Sequence, residues 1–109
     1  MTVKALCDSL GWKALTLPEP DREIHGVYIG DLLSWVMGRA EADNAWITIM
    51  SNSNVLAVAT LADVACVILA EDVTLNAVLI ALAETKGINV LKSPLPSYET
   101  AVALHGALS

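Results

Sequence analysis

Apolar and polar positions in this chain alternate in short blocks that repeat one plan. Residues 26–38, GVYIGDLLSWVMG, place a short apolar run before Gly30-Asp31 and a helical apolar stretch directly after it. Units of the same kind, strand then polar loop then helix, follow at residues 45–62, 65–86 and 88–108. Residues 46–50 (WITIM) and 67–69 (VIL) are almost continuously apolar. Such runs mark strands covered on both faces, so these two are expected at the centre of a parallel sheet.

The flanking signals fill in the remaining elements. Residues 2–10 predict a helix with Val3, Leu6, Cys7 and Leu10 on one face, Thr2 as N-cap and Gly11 as its stop. Strands are expected over 12–17 and 23–29, separated by the loop Pro18-Glu19-Pro20-Asp21. Asp31 is placed to cap a helix from Leu32 to Gly38, and Asn54 to cap one over 55–63. Thr74 is placed to cap a helix reaching Lys86, with Leu75, Val78, Leu79 and Leu82 together and Gly87 beyond its end. A last strand at 88–91 leads through the rigid turn at 92–96 into a helix capped by Ser97, on which Tyr98, Val102 and His105 share a face. The order predicts an α/β fold: a mostly parallel sheet with helices on both faces, a single three-layer domain over residues 1–109.

Composition sharpens this picture. Apolar residues make up 55% of 109, with no Phe; that exceeds a typical soluble domain, so part of the surface is expected to meet a partner. The helix at 32–37 carries Leu32, Leu33, Trp35, Val36 and Met37 around more than one face, whereas covering a sheet takes one stripe. A homodimer is the expected outcome. Trp12, Trp35 and Trp46 are assigned to core or interface. The apolar run at 55–70 is broken by Asp63 and too short to span a membrane, and the first residues do not read as a signal peptide, so the expectation is cytoplasmic with no membrane contact. Net charge is −6 without a Lys/Arg cluster, which argues against nucleic acid. Cys7 and Cys66 form no metal or redox motif; Cys66 reads as a buried hydrophobe and Cys7 as partly exposed.

Ligands of open parallel sheets bind beyond the carboxyl ends of the strands. The loops there supply Asp31, then Ser51, Asn52, Ser53 and Asn54, then Glu71-Asp72, then Ser97 and Tyr98. Helix capping alone accounts for several of these, but one cap does not need the whole polar run 51–54. No phosphate loop is present, and His25 and His105 lie away from these loops. Neither a metal, a cofactor nor a catalytic residue is expected.

The segments GVYIGDLLSWVMGRA, AWITIMSNSNVLAVATLADVACVILAEDV and KGINVLKSPLPSYETA together resemble the DRTGG domain over nearly the whole chain. The most specific parts are Gly30-Asp31-Leu32-Leu33-Ser34-Trp35 and the ending Ser97-Tyr98-Glu99-Thr100-Ala101. The resemblance implies kinship with regulatory inserts of phosphotransacetylases and CBS-domain pyrophosphatases, and with the N-terminal domain of HPr kinase/phosphorylase. It implies no kinase activity, because the ATP-binding domain is lacking. It also implies a protein partner in a hydrogenase-linked or signalling system. The family's name-giving Asp-Arg and Thr-Gly-Gly fall at Asn52-Ser53 and Ala70-Glu71-Asp72 here, so the Arg and the Gly pair suited to an anion are missing. The resulting reading is a non-catalytic regulatory or interaction domain that binds a small polar ligand and forms a homodimer. The alternative is a small enzyme using Asp31, Glu71 or Asp72 as acid–base groups.

Overall fold

A computed structural model describes residues 1–109. The elements are α1 (Val3–Leu10), β1 (Lys13–Thr16), β2 (Val27–Ile29), α2 (Leu33–Arg39), β3 (Ala45–Thr48), α3 (Ser53–Ala62), β4 (Cys66–Leu69), α4 (Ala77–Lys86), β5 (Val90–Lys92) and α5 (Ser97–Leu108). The strands form one sheet in the order β1-β5-β4-β3-β2. Four of them are parallel; β1 joins β5 antiparallel, with an irregular register between Ala14 and Thr16.

Each step from β2 to β3, β4 and β5 moves one strand in the same direction. Right-handed crossovers then put α2, α3 and α4 on one face. They share a core with Trp46, Val67, Leu69 and Val90, while α1 and α5 cover Ala45, Ile47, Cys66, Ile68 and Leu91 on the other face. The three-layer α/β expectation therefore holds. Every residue of β3 and β4 is buried, as expected of doubly covered strands, but β3 stops at Thr48, short of the apolar run 46–50: Ile49 is exposed and Met50 only partly buried. Trp46 fills the core and donates its indole N–H to the Gly30 carbonyl at 2.9 Å. Trp12 is also buried, whereas Trp35 stays half-exposed, stacked under the Arg39 guanidinium 3.6 Å from its ring centre.

Helix starts depart most from the sequence expectation. Thr2 does cap α1, accepting the Ala5 N–H, but the other caps shift. Asn52, not Asn54, caps α3. Asn76, not Thr74, caps α4, because Leu75 is drawn into the core and cannot join the helix. The inner side of α4 accordingly runs through the buried Ala83 and the partly buried Leu79 and Ile80, and Val78 and Leu82 are left outside. Ser97 is the first residue of α5 and makes no cap; Pro96 precedes it. Asp31 does not cap α2, whose N-cap is Leu32 with no side-chain bond. β2 is shorter than residues 23–29 because Gly26 turns with φ 83°, and the segment before it pairs with the N-terminus instead.

Both cysteines are buried, including Cys7, whose thiol donates to the Trp12 carbonyl at 2.8 Å. Burial raises both thiols above their ordinary value, Cys66 to about 12. Neither should react with a thiol reagent until the chain unfolds. The Cys66 pKa is higher folded than unfolded, so its contribution is complete below about pH 9 and is lost as the unfolded chain gains thiolate above it. Stability should fall by about 1 kcal/mol per pH unit between about pH 9 and about pH 11 through this group. Denaturation of wild type and Cys66→Ala across that range checks it, the variant showing the shallower decline.

Candidate functional site

Because β2 to β5 are parallel, their carboxyl ends lie along one edge of the sheet, and the four polar loops meet there. Asp31 reaches across from β2 to β3. Its Oδ1 accepts the Thr48 hydroxyl at 2.7 Å and the Ile49 N–H at 2.9 Å. The residue that the sequence offers as a helix cap is thus an inter-strand brace. Its second oxygen makes no hydrogen bond within the chain. Ser51, Asn52, Ser53 and Asn54 follow on the same side and are all exposed, Asn52 using its carbonyl oxygen to hold the Asn54 N–H.

The next two loops are fastened to each other. Glu71 and Asp72 both adopt left-handed backbone, φ 60° and 59°. Their N–H groups donate to the carbonyls of Leu95 and Ser93, and Asp72 pairs with Lys92 at 3.4 Å. A closed hydrogen-bond ring sets the turn after β5: the Leu95 N–H donates to Ser93 Oγ, that hydroxyl to Thr100 Oγ1, and Thr100 to the Leu95 carbonyl. Ser97 and Tyr98 stand beyond this ring, Tyr98 largely exposed.

The candidate residues therefore fall into two groups. Asp31, Ser51, Asn52, Ser53 and Asn54 belong to the ends of β2 and β3; Glu71, Asp72, Ser97 and Tyr98 belong to those of β4 and β5. Asp31 and Glu71 come from strands with β3 between them, about 10 Å apart at the usual strand spacing. No three potential metal ligands cluster anywhere.

The opposite edge holds what the sequence reading passed over. A cavity of about 150 Å³ lies between the ends of α3 and α4 and the β1–β2 connection, lined in part by Glu19, Arg22, Thr60, Asp63 and Lys86. Arg22 is its anchor. It donates to Asp43 Oδ1 at 3.0 and 3.1 Å, to Asp63 Oδ1 at 2.9 Å and to the Asp63 carbonyl at 2.6 Å. Burial works against its charge, but bonding and attraction from Asp63 and Asp43 prevail and hold its pKa above the ordinary value. Both aspartates are left-handed, and each opens a repeated Asp-x-Ala just before a strand: Asp43-Asn44-Ala45 and Asp63-Val64-Ala65. That repeat was the available signal.

Asp31→Ala should cost about 1–2 kcal/mol by releasing Thr48 and Ile49, while Asp31→Asn, which keeps the accepting oxygen, should recover most of it. Amide exchange identifies the cause: the Ile49 N–H should exchange faster and the α2 amides should not change. Arg22→Ala should cost about 2 kcal/mol by denaturant titration, with Arg22→Lys recovering little, since an ammonium cannot fork between Asp43 and Asp63.

Comparison with known proteins places this geometry. No curated protein matches the chain. Among solved structures, the CBS and DRTGG domains of the regulatory region of Clostridium perfringens pyrophosphatase, complexed with the activator diadenosine tetraphosphate, superpose with a TM-score of 0.76 at 16% identity. The match covers 97% of this chain and 46% of that one, so this chain spans about half of its neighbour. The family model of the DRTGG domain matches residues 6–107, and the chain belongs to the DRTGG domain family.

Proposed function

We propose that this chain is a non-catalytic, cytoplasmic regulatory domain that binds a small polar ligand along the carboxyl edge of its sheet and works as a homodimer. The observation that carries the reading is Asp31. Its carboxylate is held rigidly by Thr48 and Ile49, with one oxygen unused, beside the exposed residues Ser51, Asn52, Ser53 and Asn54. A fixed acceptor next to amides and hydroxyls suits a ligand that presents hydrogen-bond donors. Ser97 and Tyr98 would contact only a ligand long enough to extend past β4.

Charge narrows the class. The edge carries Asp31, Glu71 and Asp72 against Lys92, which is already paired with Asp72. The N–H groups of Glu71 and Asp72 are likewise spent on Ser93 and Leu95. A polyphosphate would find neither a free cation nor a free amide cradle in this loop, so a neutral or cationic metabolite is favoured. The pyrophosphatase neighbour, matched within a regulatory region bound to its activator, supports the regulatory role. The acid–base alternative is disfavoured because Asp31 and Asp72 each have a structural partner and stand on loops separated by β3, which leaves Glu71 with no unpaired carboxylate beside it.

A thermal-shift screen with amino acids, polyamines, nucleosides and diadenosine tetraphosphate tests the proposal. One donor-rich compound should raise the melting temperature, by the equivalent of about 2.7 kcal/mol at a hundredfold excess over Kd, and the shift should vanish in Asp31→Asn. Diadenosine tetraphosphate should give none. A shift from that nucleotide alone, or from nothing, would overturn the assignment.

A further inference from the structure

The free edge of β2 is bare, and the opposite edge of the sheet is not. β1 carries the exposed Lys13 and an irregular register, both of which discourage a further strand. β2 has neither. Its parallel pairing uses alternate residues: the Gly26 carbonyl accepts from Ala45 N–H, and Gly30 N–H donates to Ile47. The same parity turns Tyr28 inward to β3, so the N–H and C=O groups of Val27 and Ile29 point outward.

Apolar side chains flank that edge on both faces of the sheet. Val27 and Ile29, level with Ala45 and Ile47, lie on the α1/α5 face and are 41% and 53% exposed. On the other face α2 buries Val36 against α3. Leu32, Trp35 and Arg39 lie to one side of Val36, and the right-handed β2-α2-β3 crossover turns that side away from α3, toward the free edge. Leu32 is 58% and Trp35 52% exposed.

We propose that this edge is the dimer interface: β2 of one copy pairs antiparallel with β2 of a second about a two-fold axis at Tyr28, making one continuous sheet. In that register Val27 stands opposite Ile29 of the second copy, and their outward N–H and C=O groups satisfy one another. No charged residue lies between Gly26 and Gly30, so the paired strands bring no like charges together. The area is close to what pairing requires. A whole aromatic side chain buries ~150–250 Å² and an aliphatic one less, so half-exposed Val27, Ile29, Leu32 and Trp35 offer roughly 400 Å². That is nearly the whole apolar share, somewhat over half, of the about 800 Å² per partner in a stable interface.

This inference rests on the homodimer reading, and the experiment separates the two. Sedimentation of the full chain should give twice 11.5 kDa, and the double variant Val27→Lys/Ile29→Lys should sediment as a folded monomer. In the wild-type dimer the Val27 and Ile29 amides should exchange slowly. A wild-type monomer at every concentration overturns dimer and edge together. A dimer that survives the double lysine variant overturns the edge alone. If the variant fails to fold, the wild-type amides decide: fast exchange at Val27 and Ile29 within a dimer overturns the edge, and slow exchange supports it.

Discussion

Burial of β3 and β4 on both faces is the constraint on which the rest of the structure depends. With helices packed above and below, no side chain of these strands reaches solvent. Polar side chains are therefore confined to the strand ends. The carboxyl end receives Asp31 and the polar run after β3. The amino end receives the Arg22 cluster, and β2 carries the exposed apolar Val27 and Ile29.

Much of this was legible in the sequence because burial leaves a compositional trace. AWIT and CVIL are buried on both faces, and their spacing through helix-length segments fits a parallel sheet, whereas the apolar Ile49 and Met50 that prolong the first run lie beyond β3. Cap assignments were less legible for a physical reason. Asp, Asn, Ser and Thr serve equally well as caps, turn formers or tertiary acceptors, and local sequence does not rank these uses. Leu75 illustrates the competition: its burial moved the start of α4 past Thr74 to Asn76. Asp31 illustrates it again, since two donors, Thr48 at the end of β3 and Ile49 just past it, take the place of the single bond that a cap would have made.

The loop after β4 shows how bonds to a neighbouring loop can hold a costly backbone. Glu71 and Asp72 adopt the left-handed conformation that glycine takes without cost, at the place where the resemblance puts the family's Gly pair. Such backbone costs other residues about 1–2 kcal/mol each. The conformation persists because its N–H groups reach Leu95 and Ser93 and Asp72 reaches Lys92. The same bonds that hold the loop's shape occupy the N–H groups of Glu71 and Asp72, which are then not free to face a ligand.

Arg22 and Asp31 perform corresponding tasks at opposite ends of the sheet. Each ties segments that are distant in sequence: Arg22 joins the turns before β3 and β4, and Asp31 joins the exits of β2 and β3. The second tie has a consequence for regulation. Asp31 lies just two positions beyond Ile29, with Gly30 between, and Gly30 itself is bonded to both Ile47 and the Trp46 indole. A ligand that engages the free Asp31 oxygen acts on the end of the same strand whose outer edge is exposed. If its affinity differs between the free and the paired edge, linkage requires that pairing change with ligand by the same free energy. No catalytic group is needed for such a coupling, only a strand with an acceptor at its tip and an open flank.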